Sequence, residues 1–309
     1  MNPAVMCFDI GGSFIKSGVL RADDTLQPIG SVAMPARDWS AFCQALHHQI
    51  ADAAGLLTAD SPVALSAAGV VDSRQDTILA GNISAFAGHQ VSAELSRLLG
   101  RRVIIGNDAD CFTLAEATTG AGQGADSVLG IILGSGVGGG LVINRQLITG
   151  AGGLTGEWGH GPITRTHFDY RGQRIELPRL ACGCGQQGCL DTLGAARGIE
   201  RLWLHLNQYA ADSKQIVTDW LAGNKRAIQV ITLWSELVSE VLAVVVNTLG
   251  PDRIVAGGGL TGVAPLLTLL DEQLRRRILR TTTQPLIVAG QHQQQGGLLG
   301  AGWLGRTLT

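Results

Sequence analysis

The chain has no block of like charges, no low-complexity linker and few charged residues of either sign. Charged residues make up 16% of its 309 positions, and the formal net charge is −2. That excludes the basic footprint of a nucleic-acid binder. It also leaves no acidic tail and no membrane-surface patch. The opening MNPAVMCFDIGG lacks a basic region, a long apolar run and a small-residue cleavage site, so no secretory signal is expected. The apolar stretch Val241–Leu249 is too short to span a bilayer and follows Glu236 and Glu240, so a buried helix is expected there. A cytoplasmic protein follows as the expectation. Thiols stay reduced in that compartment, which counts against a disulfide framework among the six cysteines. A Walker GK[ST] motif is also missing, so a P-loop is excluded.

What is present is an apolar, glycine-rich α/β pattern. Hydrophobic residues make up 45% of the chain, and its length suggests about two domains at roughly 150 residues each. The 43 glycines gather at strand ends, where backbone turns tightly or approaches a ligand. Val5–Ile10, Gly11-Gly12 and Ile15–Leu20 read as a hairpin closed by a turn at Ala22–Asp24. Helical spacing marks 39–54, 91–99, 109–119, 226–249 and 265–279. Strands are expected at 63–67, 103–105, 127–133, 137–143 and 253–256, and the tail GGLLGAGWLG reads as a tightly packed closing helix. CFDIGGSFIKSGVLRADD and GIILGSGVGGGLVINRQ share one plan at a spacing of about 120 residues, which suggests two related domains.

Three glycine turns follow strands: Gly11-Gly12-Ser13, Gly134-Ser135-Gly136 and Gly257-Gly258-Gly259. Backbone N–H groups in such turns can cradle the phosphates of ATP, because no Cβ blocks the approach. GSGVGGG leads into a strand and not a helix, so it is not a dinucleotide fingerprint. Asp9 precedes the first turn and suits either a turn cap or a position near Mg²⁺. Lys16, on the next strand, faces either solvent or the site. Asp108 sits where a strand hands over to a helix. It is either the helix N-cap or the base that takes a hydroxyl proton during phosphoryl transfer. Asp110, in the first helical turn, complements the helix dipole.

ACGCGQQGCL brings Cys182, Cys184 and Cys189 together, and GEWGHGP upstream offers His160 as a fourth ligand. Cys₃His suits tetrahedral, structural Zn²⁺ with no position left for water. Redox pairing is the alternative. Cys7, Cys43 and Cys111 stand alone and read as small core residues.

Together these segments resemble the ROK family of sugar kinases, within it most closely the bacterial N-acetylglucosamine kinases. The matching stretches are DIGGSFIKSG, GNDADCFTLAEA, LGIILGSGVGGGLVINRQLITG, GEWGHGPI, CGCGQQGCLD, PDRIVAGGGL and GGLLGAGWL. The resemblance implies an α/β, actin/hexokinase-like (ribonuclease H-like) two-domain fold with a cleft between the domains. The expected division is 1–115, completed by a helix at about 295–309, and 116–294 with the zinc loop. The implied reaction is ATP-dependent phosphorylation of a hexose 6-hydroxyl, N-acetyl-D-glucosamine first. Other sugars of the family (glucose, fructose, N-acetylmannosamine) and a non-catalytic sugar sensor are the alternatives. Such sensors carry a DNA-binding helix-turn-helix ahead of the first glycine turn, and only eight residues precede Asp9 here.

By the same resemblance Asp108 is the base, and Gly69, Asn82, Asn107, Glu157, His160 and Asp191 hold the sugar. Asp9, Gly11, Gly12, Ser13, Lys16, Gly134, Ser135 and Gly136 lie on the phosphate side, and Gly257, Gly258 and Gly259 on the adenosine side. ATP, Mg²⁺ and a structural Zn²⁺ are the implied cofactors, and a homodimer the implied assembly. Two departures stand out. Asp191 stands where the family usually has glutamate after the last zinc cysteine, and Ser13-Phe14 where many members have Thr-Lys after the paired glycines.

Overall fold

The computed structural model describes residues 3–81 and 83–308. Strand β1 (Val5–Ile10) turns through Gly11-Gly12 into β2 (Phe14–Leu20), and β3 (Leu26–Ala33) follows a turn in which Asp24 takes φ 68°. Next come α1 (Trp39–Asp52), β4 (Val63–Ala67), the small hairpin β5 and β6 (Val70–Asp72, Thr77–Leu79), α2 (Val91–Leu99), β7 (Val103–Asn107) and α3 (Asp108–Thr119). The plan then restarts with β8 (Ser127–Leu133), β9 (Val137–Ile143) and β10 (Gln146–Leu147). A second small hairpin, β11 and β12 (His167–Tyr170, Gln173–Glu176), lies between His160 and Cys182. Helices α4 (Asp191–Gly194), α5 (Ala196–Asn207), α6 (Ser213–Leu221) and α7 (Lys225–Leu249) lead to β13 (Arg253–Gly257). The chain closes with α8 (Ala264–Arg275), β14 (Ile287–Ala289) and α9 (Gly296–Arg306).

Two five-stranded sheets result, in the orders β3-β2-β1-β4-β7 and β10-β9-β8-β13-β14. In the first, β1 and β2 pair antiparallel with Asp9 opposite Lys16, while β1–β4 and β4–β7 are parallel. The second repeats the scheme: β9–β10 antiparallel, β8–β13 and β13–β14 parallel. The repeat read from the two glycine hairpins is therefore a repeat of sheet topology.

Contacts divide the chain into two compact units: residues 1–124, 140–155 and 291–309, and residues 125–139 and 156–290. The expected boundary at 115/116 falls inside α3, a continuous helix that stays with the first unit. Residues 140–155 also belong to the first unit, because Gly140 lies against Thr113 and Asp110 and the turn at Gly153 lies on Val71. The first unit buries Phe8, Phe42, Leu46, Leu65 and Phe86 around its sheet. There α9 packs on α3 so closely that a Cβ at Gly300 would come within 1.8 Å of the Cys111 carbonyl oxygen. The small residues of the tail permit this backbone-on-backbone contact. Cys7, Cys43 and Cys111 are buried thiols, as expected of core residues.

The second unit's core surrounds α7. Asn224 caps that helix by accepting from the Arg226 and Ala227 N–H groups, and Gly250, with φ 59°, ends it. Among the described residues α7 is one helix long and apolar enough to cross a membrane, but Trp234, Leu237, Val238 and Leu242 are buried in this core. Helix α8 stops at Arg275, four residues short of the stretch its periodicity suggests. Beyond it the Asn247 side chain accepts from the Leu279 N–H at 3.0 Å, a tertiary bond that replaces the helical one.

One buried carboxyl ties the first unit's segments together. Glu116, fully buried in α3, accepts from the Ala121 N–H (2.8 Å) and the His292 N–H (2.6 Å). Truncation leaves two partly buried donors without this acceptor. Glu116→Ala is therefore expected to lower unfolding free energy by about 3 kcal/mol. Urea denaturation measures this; an unchanged midpoint would contradict it.

Candidate active site and metal centre

In the first unit, Asp9 lies near the end of β1, beside its glycine turn. Its Oδ1 accepts from Ser66 Oγ at 3.1 Å, and Lys16 Nζ lies 3.9 Å from Oδ2. Burial pushes the Asp9 carboxyl above its ordinary range, while the Ser66 hydroxyl and the Lys16 charge pull it back. A cation beside Asp9 would relieve the same desolvation cost. The turn is held by the Gly11 N–H donating to Phe14 O (3.0 Å) and the Met34 N–H to Ser13 O (2.9 Å). Gly12 and Ser13 stay exposed at its tip.

The Asn107-Asp108 pair shows which residue caps α3. Asn107 is the N-cap of α3: its Oδ1 accepts from the Ala109 N–H (2.8 Å) and the Asp110 N–H (3.2 Å). Its Nδ2 donates to Gly69 O at 2.7 Å. Asp108 is thus the first helical residue, and it is exposed. One of its oxygens accepts from the Ala109 N–H at 2.9 Å, which orients the carboxylate at the positive end of the helix. Gly69 takes φ 120°, and a Cβ there would lie 2.5 Å from Leu79 O, so only glycine suits that turn.

In the second unit, two glycine turns meet. The Gly134 N–H closes its turn on Gly136 O at 3.1 Å, and the Ala196 N–H donates to Gly134 O at 3.0 Å. Gly258, with φ 95°, lies against this backbone; a Cβ there would fall 2.6 Å from Leu133 O. Asp191 Oδ1 accepts from the Val137 N–H at 2.7 Å. Trp158 Nε1 donates to Gly138 O at 2.7 Å, which fixes the 157–160 turn against β9. Neither tie has a local sequence signal, since 54 and 20 residues separate the partners.

That turn carries Glu157 and His160. Burial raises the Glu157 carboxyl above its ordinary range; His160 opposes the shift and Asp191 adds to it. Glu157 Oε2 lies 3.5 Å from His160 Nε2. The other ring nitrogen, Nδ1, faces Cys182 Sγ at 3.5 Å, and Cys184 Sγ lies 3.7 Å from Cys189 Sγ. Ligand atoms of His160, Cys182, Cys184 and Cys189 all fall within 4.8 Å of one another. A tetrahedron with Zn–S of about 2.3 Å and Zn–N of about 2.05 Å has S···S edges of about 3.8 Å and S···N edges of about 3.6 Å. Both of these pairs sit close to those edge lengths, so the donor set and its spacing fit zinc. The arrangement also leaves Nε2 of His160 for an outer partner, as metal-bound imidazoles require.

The profile of the ROK family matches residues 5–307. The chain belongs to the ROK family. It is 32% identical to an N-acetyl-D-glucosamine kinase of Yersinia enterocolitica over 299 residues, covering 96% of this chain and 97% of the relative. It is 34% identical to the enzyme of the same name from Salmonella gallinarum over 297 residues, at 96% and 97% coverage. Among solved structures, the ROK hexokinase of Thermus thermophilus superposes with TM-score 0.79 at 28% identity, covering 97% of each chain. A ROK glucokinase from Streptomyces griseus, in complex with glucose and AMPPNP, gives TM-score 0.74 at 26% identity, covering 98% of this chain and 99% of the other. The actin/hexokinase-like fold expected from the sequence is the fold of these ROK structures.

Within this ROK chain the expected residues fall into separate groups. Asp9, Lys16, Gly11–Ser13, Gly69, Asn107 and Asp108 belong to the first unit. Gly134–Gly136, Glu157, His160, the three cysteines, Asp191 and Gly257–Gly259 belong to the second. Asn82 lies outside the described residues. Asn107 turns its amide to protein partners on both sides, and Asp191 turns one oxygen to Val137. Phe14 is exposed.

Proposed function

We propose that this ROK enzyme transfers the γ-phosphoryl group of ATP to the 6-hydroxyl of an N-acetylhexosamine, with N-acetyl-D-glucosamine as its preferred substrate. One observation carries the reading: Asn107 caps α3, which leaves Asp108 as an exposed, oriented carboxylate at the helix start. The kinase activity of relatives that match almost the whole chain supports it.

In this reading Asp108 accepts the hydroxyl proton as the sugar oxygen forms its bond to the γ-phosphorus. The bridging P–O bond breaks, and its electron pair leaves with ADP. N–H groups at the tips of the glycine turns, beyond the internally bonded Gly11 and Gly134, receive the phosphates. Asp9 and Lys16 hold the cation–phosphate side, where Mg²⁺ neutralises charge on the phosphoryl oxygens. Glu157 and the Nε2 side of His160 hold sugar hydroxyls, and Asn107 and Gly69 shape the floor beneath Asp108. Zinc at His160, Cys182, Cys184 and Cys189 gives structural support, fixing the ring whose other edge meets the sugar. The reaction takes place in the cytoplasm, where ATP is supplied and these thiols stay reduced.

The test is ADP release with Mg-ATP across a panel of N-acetylglucosamine, N-acetylmannosamine, glucose and fructose. The phosphate position is read by ³¹P–¹H NMR. The expected result is highest kcat/KM with N-acetylglucosamine and a 6-phosphate product. Turnover of glucose alone would replace the substrate and keep the chemistry; no sugar-dependent turnover would defeat both.

A further inference from the structure

We propose that Ser66 is a positioning residue for the metal–nucleotide: its hydroxyl holds one oxygen of Asp9 inside the protein, which leaves the other to meet the cation that accompanies the phosphates. The inference rests on the reading above that Asp9 lies on the cation–phosphate side.

Ser66 is the one polar residue of β4, whose other members are Val63, Ala64, Leu65 and Ala67. It is fully buried. A hydroxyl in such a strand needs a partner, because burying it unpaired is unfavourable. The register supplies one. Strands β1 and β4 run parallel with Ser66 directly beside Asp9, so both side chains leave the same face of the sheet. Ser66 Oγ donates to Asp9 Oδ1 at 3.1 Å. The first turn of α9 closes over the pair: a Cβ on Gly297 would lie 2.5 Å from Asp9 Oδ1 and 2.9 Å from Ser66 Oγ. All of these residues belong to the first unit.

The two oxygens of Asp9 therefore have different surroundings. Oδ1 is pinned between β4 and α9. Oδ2 has Lys16 Nζ at 3.9 Å, too far for a hydrogen bond, and the lysine side chain is exposed. In offsetting the burial of Asp9, the Ser66 hydroxyl counts for more than the Lys16 charge. No other side chain of β4 offers a donor. Without the hydroxyl, the carboxylate is free to turn about its Cβ–Cγ bond and close on Lys16, which then competes with the cation for it. Ser66 thus keeps the acid apart from the lysine.

The experiment measures by calorimetry the affinity of a non-hydrolysable ATP analogue, once with Mg²⁺ and once with a chelator in its place, and the affinity of N-acetylglucosamine. In Ser66→Ala the gain in analogue affinity that Mg²⁺ brings is expected to fall about fivefold, part of the worth of one hydrogen bond to a charged acceptor. The metal-free analogue and the sugar should stay within about twofold, since neither depends on the angle of this carboxylate. In an Asp9→Ala background there is no carboxylate to position, and Ser66→Ala is expected to change the Mg²⁺ gain by less than about twofold. Ser66→Cys keeps the shape with a weak donor and is expected to behave as alanine; it decides alone if Ser66→Ala does not fold by circular dichroism. An unchanged or larger Mg²⁺ gain in Ser66→Ala overturns the proposal. An equal loss of metal-free analogue or sugar affinity overturns it too, since that marks a general packing defect, and so does a full effect of Ser66→Ala in the Asp9→Ala background. If the unsubstituted protein binds the analogue but gains nothing from Mg²⁺, the reading of Asp9 falls and Ser66 with it; if it binds no nucleotide at all, the proposed function itself is removed.

Discussion

Asp108→Asn is expected to lower kcat by about 10²–10⁴-fold, the usual contribution of a positioned base, while sugar affinity changes little. Asparagine keeps the size of the side chain but cannot take the hydroxyl proton. The capping role stays with Asn107, so α3 still begins at the same residue. The helix loses one negative charge from its first turn, roughly 0.3–1 kcal/mol, and Asp110 remains there. The melting temperature should therefore move little. Calorimetry with N-acetylglucosamine and a turnover assay on one preparation read both quantities. Activity within a few-fold of the unsubstituted enzyme would show that Asp108 is not the base. Asn107→Ala makes a useful contrast. It removes the cap and the bond to Gly69 O, costing about 1–2 kcal/mol of stability, so its melting point should fall clearly.

Loss of the metal centre is the second large effect. Cys184→Ser changes the exposed member of the cluster, so it opens no core cavity. Bound zinc, read by elemental analysis, is expected to fall from about one per chain to near zero, since a hydroxyl is a poor substitute for thiolate. In small peptides structural zinc supplies about 10–16 kcal/mol of ordering. Here the loop keeps other ties: the Ile163 N–H to Gly188 O (2.8 Å) and the Leu190 N–H to Gly161 O (2.9 Å). The expected result is a loosened loop and not an unfolded chain. Hydrogen exchange should speed up across residues 161–190 and stay slow in α7, which is buried in its own core. Sugar affinity should fall more than tenfold, because His160 loses the partner that fixes its ring. A variant that keeps one zinc, or loses it without change in sugar binding, would refute the structural role.

Much of the fold was legible because it rests on short-range rules. The glycine hairpin at 11–12 and its repeat at 134–136 mark strand–turn–strand by residue type alone. Gly100 and Gly250 end helices because each adopts the left-handed conformation that side chains avoid. The thiol–histidine cluster was legible for a chemical reason: three thiols lie within eight positions, and GEWGHGP upstream sets His160 in a glycine-flanked turn. The hairpin β11–β12 was missed: Phe168, Tyr170 and Ile175 do alternate with polar residues, but strands of four residues are too short to establish a period. The end of α8 was hidden as well. Asp271 in that helix accepts from the Leu286 and Ile287 N–H groups, which draws the following chain toward β14.

By itself, then, the sequence determined the α/β class, the paired glycine turns, the thiol cluster and the candidate carboxylate. Each depends on residue chemistry within a few positions along the chain. Only the tertiary structure decided which of Asn107 and Asp108 caps α3, and that Asp191 reaches back 54 residues to Val137. A carboxylate's role is set by the donor that reaches it, and packing, not spacing along the chain, brings that donor within hydrogen-bond distance.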